Sequence, residues 1–181
     1  MKYILLISFI ISICSLTENE RIVWNTLKPQ GFTKACQAAI LGNIKADSNV
    51  QSVLYENAYK PKLRLTDQEY VDKVNSGEYT EKEFIYDQVG FGLILWTYYS
   101  RKQALYEMCK GKIGDAECQT KYLILELKTY FHKVYNQLKE ITDIAKCTKI
   151  FFFYYENPIN PGVNAAKKRI EYANYYYKNF E

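Results

Sequence analysis

Apolar residues recur at three- and four-residue intervals along most of this chain, and helix start and stop signals punctuate them. Glu20 to Leu27 reads as a short amphipathic helix, stopped by Pro29 and Gly31. Thr33 can cap a second helix that runs to about Ala46. In LTDQEYVDKVNSG, Thr66 and Glu69 have capping-box spacing and Gly77 is a stop. Ser100 can cap Arg101 to Gly111, and Asp115 can start a long helix from Ala116 to Lys133. Thr142 is placed to cap Asp143 to Tyr155, a helix ending near Pro158, and Asn164 to Phe180 closes the chain. The best strand signal is FIYDQVGFGLILW, Phe84 to Trp96, which also fits an extended loop around Gly90 and Gly92. The pattern predicts an α+β protein, mainly α, with a small irregular or β-like lobe between Val50 and Val89.

One helix stands out. Ala35, Ala38, Ala39 and Gly42 form a small-residue run, with Ile40, Leu41 and Ile44 between them, and the run stops at Asp47, Ser48 and Asn49. Asp followed by Ser and Asn is ordinary helix-end chemistry. It is also a way to aim a carboxylate from a rigidly packed helix.

The first residues read differently from the rest. MKYILLISFIISICSL combines Lys2, an apolar run from Tyr3 to Cys14, and small residues at Ser15 and Thr17, the pattern of a signal peptide. The run falls short of the roughly 20 apolar residues of a membrane span. A lipid anchor at Cys14 fits poorly, because Ile13 sits where a small residue is usual. We therefore expect a leader over residues 1–17 and one domain over 18–181, secreted to the exterior or a secretory lumen, monomeric and without a stable membrane anchor.

Composition narrows the function. Lys and Arg number 24 against 20 acidic residues; losing Lys2 with the leader leaves 23 against 20, a net charge of +3. That suits an anionic polymer such as a cell wall and is far from a nucleic-acid footprint. His132 is the only histidine, which argues against a His-based triad and a zinc site, and no cofactor or metal is expected. Without Cys14, four cysteines remain: Cys36, Cys109, Cys118 and Cys147. An even count in a secreted chain reads as two disulfides with three possible pairings. The simplest clips Cys109 to Cys118 around KGKIGDAE and leaves Cys36 to meet Cys147. The 18 tyrosines concentrate late, in FFFYY (Phe151 to Tyr155) and YYY (Tyr175 to Tyr177), and such stripes build cores more often than binding platforms.

Several motifs in order resemble the phage tail lysozyme family, lysozyme-like domains that cut peptidoglycan. The family's G-N-x-x-A-E-S-G segment corresponds to Gly42 to Asn49. L-T-D-x-E-Y and G-x-Y-T follow at Leu65 to Tyr70 and Gly77 to Thr80, and G-Y-G-L-A-Q-W-T corresponds to Gly90 to Thr97. S-R-K-x-A-L matches Ser100 to Leu105, Y-E-x-P matches Tyr155 to Pro158, and the K-R-I-x-Y-A-x-x-Y-Y ending starts at Lys168. The likeness covers roughly Gly31 to Phe180. It implies a two-lobed lysozyme-like fold with a groove between a helical lobe and a small lobe. It also implies that Asp47 occupies the position of the family's catalytic glutamate, as general acid.

Two positions depart from the family pattern: Asp47 replaces Glu, and Leu95 replaces the Gln before Trp96. Asn49 for Gly is a milder change. A carboxyl against apolar walls can stay protonated near neutral pH and protonate a glycosidic oxygen. Asp is one methylene shorter than Glu, and a displacement near 1 Å can cost on the order of a hundredfold. The resemblance makes Ser48, Leu95 and Arg101 candidate substrate-binding positions, and Asp87 before the Gly90 turn and the aromatic Trp96 and Tyr98 are groove candidates beside them. Trp96 also reads as core, Arg101 and Lys102 as a surface pair at a helix start, and Glu69 as a capping residue rather than a second catalytic carboxylate. The first expectation is a glycoside hydrolase (muramidase) acting on the glycan strands of bacterial peptidoglycan. The alternatives are a catalytically dead glycan binder and an interaction protein whose surface is the aromatic C-terminal region.

Overall fold

The computed structural model describes residues 15–180, so most of the expected leader lies outside the described residues. Helix α1, Glu18–Leu27, starts at a capping box: the Thr17 hydroxyl accepts from the Glu20 amide and the Glu20 carboxylate accepts from the Thr17 amide. Glu20 is itself buried, and it also accepts from Lys45 (3.1 Å) and the Tyr176 hydroxyl (2.6 Å). One carboxylate therefore ties the start of α1 to the two helices around which the body is built.

The first of these is α2, Lys34–Ser48, capped by Thr33 as the sequence predicts. Every side chain from Ala35 to Ile44 is buried, so α2 is the central helix. The second, α10 (Ala165–Asn179), lies along it, and Gly42 sets their separation. A Cβ on Gly42 would stand 2.6 Å from the Ala173 backbone nitrogen and 2.8 Å from the Arg169 carbonyl oxygen. The small-residue run thus admits a second backbone at van der Waals contact. Gly42→Ala is expected to lose about 1–3 kcal/mol of stability by overpacking, read as a shift in the denaturation midpoint. An unchanged midpoint would mean that α10 slides aside freely.

The other helices complete the body. Short α3 (Lys60–Leu63), α4 (Asp67–Ser76) and α5 (Glu81–Tyr86) form the small lobe, followed by α6 (Tyr99–Cys109), α7 (Ala116–Thr129), α8 (His132–Glu140) and α9 (Ile144–Phe151). Both expected cysteine pairs form: Cys36–Cys147 joins α2 to α9 with Cα atoms 5.1 Å apart, and Cys109–Cys118 joins α6 to α7 at 6.0 Å.

The mainly α expectation holds, with differences that have local causes. Among the described residues the small lobe is helical and irregular, and its β character reduces to the isolated bridges Tyr55–Phe91 and Phe91–Trp96. A capping box between Thr80 and Glu83 draws Phe84, Ile85 and Tyr86 into α5, which removes the first quarter of the supposed strand. Ser100 lies inside α6, whose N-cap is Tyr98 without a side-chain bond. Asp143, not Thr142, caps α9. The long helix expected to reach Lys133 breaks at Tyr130–Phe131, where both amides converge on the Glu126 carbonyl, and His132 begins α8 on the surface.

Gln119 holds the Gly90–Trp96 turn against the body. Its carbonyl accepts from the Leu93 amide (2.9 Å), and its amide donates to the Ser52 and Ile113 carbonyls. Gly92, at φ 76°, lies so close that a Cβ would stand 2.6 Å from the Gln119 oxygen.

Candidate active site

Helix α2 stops just past Asp47 because the next turn leaves helical space. Asn49 and Val50 both have positive φ, 55° and 59°. For β-branched Val50 that is a strained conformation, held here by burial and by Asn19 donating to its carbonyl (2.9 Å). Asp47 is left in the last turn, at the negative end of the helix dipole, where a carboxylate is disfavoured.

Two other segments converge on it. FFFYY does not finish as an α-helix: Phe152–Glu156 widens into a π-helical turn that ends at Asn157, with φ 49°. That turn buries Phe152 and Tyr155 and places Glu156 beside Asp47. From α10, the Arg169 guanidinium lies 4.0 Å from the Phe152 ring centroid. One nitrogen, Nη2, donates both to Asp47 Oδ1 and to Glu156 Oε2, the latter at 3.3 Å. Glu156 Oε1 and Arg169 Nε, both buried, have no hydrogen-bond partner in the protein.

This is two carboxyls and one guanidinium in a nearly dry site, so full ionisation would leave a net negative charge there. Burial pushes Asp47 from 3.8 up to about 6, against the opposing pull of Arg169 and a hydrogen bond from Glu156. Burial and then the Asp47 charge push Glu156 well above the usual carboxylate range. The two carboxyls contact one cation and repel each other when both are charged, so the proton affinity of each depends on the other. Both bind protons more tightly folded than unfolded. Their contribution to stability is complete below the ordinary carboxylate range and is lost as pH rises, for Asp47 between 3.8 and about 6.

Glu156 also lines a cleft of about 610 Å³ between the small lobe and the body. Tyr59, Tyr86 and Gln88 come from the small-lobe side, Leu95, Tyr98, Tyr99 and Arg101 from the turn and α6, and Ile159 from beyond Glu156. The volume is typical of a small-ligand site. Tyr86 and Tyr99 stack with centroids 5.9 Å apart and planes 15° apart, and Tyr98 stands 5.1 Å from Tyr99. All three are solvent-exposed, a flat aromatic rim at the mouth of the cleft.

The structure scatters the other residues expected from sequence. Leu95 and Tyr98 are on the cleft wall, Leu95 at φ 50°. Arg101 is there too, but its guanidinium is engaged by Glu126 at 2.6 and 2.9 Å and lies over Tyr155. Ser48 is buried, and its hydroxyl donates to the Leu93 carbonyl at 2.9 Å, fastening the end of α2 to the turn. Trp96 is core: its indole N–H donates to Glu126 (2.8 Å) and it offers no face to the cleft. Asp87 is a structural ion. It pairs with wholly buried Lys102 and accepts from Tyr70 (2.7 Å) and Tyr79 (3.3 Å). Lys102 is therefore no surface residue; it also donates to the Val89 carbonyl and lies over Phe84. Glu69 caps α4, and Asp67 binds Lys60 and the Tyr55 amide.

Residues 18–180 match the sequence profile of the phage tail lysozyme family. The chain belongs to that family. Among curated proteins it is similar to morphogenesis protein 1 of Bacillus phage B103, 24% identical over 171 residues. That match covers 90% of this chain but only 40% of the relative, so the chain spans well under half of that protein's length. Membership makes peptidoglycan the polymer to consider for the cleft. The two disulfide pairs are consistent with an extracellular protein, and among the described residues no helix is long and apolar enough to cross a membrane.

Sequence reading missed Glu156 and Arg169 as site residues, although both lie in matched motifs, the YENP segment and the KRI segment. The available signal was a carboxyl embedded in an aromatic run, a setting that favours burial and a raised pKa.

Proposed function

We propose that this protein is a secreted muramidase that cleaves the β-1,4 bond between N-acetylmuramic acid and N-acetylglucosamine, drawing its acid from the carboxyl pair that Asp47 forms with Glu156. The observation that carries this reading is a pair of largely buried carboxyls on one guanidinium nitrogen, one of them on the wall of a cleft. Such a pair stays partly protonated near neutral pH without a metal or a histidine. Tyr86, Tyr98 and Tyr99 suit the apolar faces of sugar rings, and Leu95 adds an apolar wall in place of an amide. Removal of residues 1–17 as a leader would take Thr17, and with it the side-chain cap of α1.

The pair works as one catalytic position. Glu156 lines the cleft and Asp47 does not, so the two do not flank a sugar bound there as paired glycosidase carboxylates do. Asp67, Glu69 and Asp87 are occupied in caps and ion pairs. The chemistry is therefore acid-driven departure of the leaving sugar, with water as the incoming nucleophile.

The test is release of reducing ends from purified peptidoglycan across pH 4–8. Wild type is expected to release them and the double variant Asp47→Asn/Glu156→Gln to fall by about 10²–10⁴. Saturable binding of insoluble peptidoglycan without any release would establish a glycan-binding pseudoenzyme instead.

A further inference from the structure

The family motif directs attention to position 47, but the geometry points to a division of labour. We propose that Glu156 is the carboxyl that delivers the proton into the cleft, and that Asp47 is its positioning anion, locked against Arg169. This rests on the muramidase reading.

Glu156 lines the cleft and Asp47 does not. Each carboxyl gives one oxygen to Arg169, Asp47 Oδ1 and Glu156 Oε2, and Glu156 Oε1 is buried with no partner within the protein. Oε1 is therefore the oxygen with nothing to lose by turning to a substrate. The groups facing the pair are Asp47 from the end of α2, Arg169 from α10, and Arg101 and the cleft tyrosines across from it. Arg101 is neutralised by Glu126, which leaves Arg169 as the cation that acts on the pair. Arg169 contacts Asp47 closely and Glu156 at 3.3 Å, so the charge settles on Asp47 and the proton on Glu156. Burial holds protons on both carboxyls more tightly than on ordinary ones. The exchange also explains how a chain with the shorter Asp at position 47 keeps an acid within reach of the sugar: the longer side chain enters from the π turn.

The step balances simply. The Glu156 O–H proton passes to the glycosidic oxygen. The C1–O bond breaks with its electron pair going to that oxygen, which leaves as a hydroxyl. Water adds to C1 and its proton returns to the Glu156 carboxylate, so one water is consumed and the enzyme is restored.

Two measurements on the full folded chain test this. In a carboxyl ¹³C NMR titration of wild type, Glu156 is expected to be the last carboxyl to lose its proton. Its midpoint should fall by about one unit or more in Asp47→Asn, where the repelling charge is gone and Arg169 is free to turn to it. Asp47 titrating last would overturn the proposal. In the reducing-end assay Glu156→Gln is expected to lose about 10²–10⁴ in kcat and the alkaline limb of its pH profile, while Asp47→Asn keeps a residual rate with that limb displaced to lower pH. An active Glu156→Gln beside a dead Asp47→Asn would move the donor role to Asp47 and leave the muramidase reading intact. A wild type that releases no ends would remove the reaction itself, and with it the donor role.

Discussion

A variant with both Cys36 and Cys147 replaced by alanine is expected to be less stable than wild type by about 5 kcal/mol, the largest loss from any one pair of cysteines. The bond closes 111 residues of sequence, against 9 for Cys109–Cys118. Loop entropy in the unfolded chain grows with the logarithm of that length, so the matching Cys109/Cys118 variant is expected to lose only about half as much, roughly 2.5 kcal/mol. Denaturant unfolding of the two variants gives the comparison directly. Equal losses would show that native packing rather than chain entropy sets the cost. The long bond also matters for the site. It fixes α9, which runs on into the π turn that ends in Glu156, to α2, which carries Asp47 in its last turn. The Cys36/Cys147 variant should therefore lose activity under conditions where it is still folded, whereas the Cys109/Cys118 variant should not.

Glu126→Ala is expected to cost about 3–5 kcal/mol. Its carboxylate is almost wholly buried and is the common acceptor of Arg101, the Trp96 indole N–H and the Tyr155 hydroxyl (2.6 Å). Removing it leaves a largely buried guanidinium and two buried donors without their acceptor, and the unpaired cation is the dominant penalty. Glu126→Gln keeps the volume and one carbonyl, and should recover roughly half the loss. A small effect from alanine would mean that water enters and solvates Arg101. The variant carries a functional signature as well: Arg101 is part of the cleft wall and Tyr155 adjoins Glu156, so binding of glycan fragments should weaken along with stability.

How much of this was legible beforehand depends on the range of the interaction. Thr17, Thr33, Thr66 and Asp115 each bond to an amide three residues away, so caps at Thr33, Thr66 and Asp115 could be read from spacing alone. Thr80 with Glu83 was equally local, but the β-branched and aromatic residues after it argued for a strand, and the cap prevailed. The disulfide pairing followed from count and proximity, and the family from motif order.

By itself, then, the sequence determined the helical class, the starts of α2, α4 and α7, the even cysteine count and the place of Asp47 at a helix end. Only the tertiary structure decided which charges are buried and which of them meet. Asp87 reads as a groove residue and Lys102 as a surface residue in sequence, yet they form a sealed ion pair, while Glu156, set in an aromatic run, lines the cleft. Asp47 and Arg169 lie 122 residues apart. They meet because Gly42 lets α10 close on α2, and a carboxyl's proton affinity is set by the burial and charges that such a meeting brings.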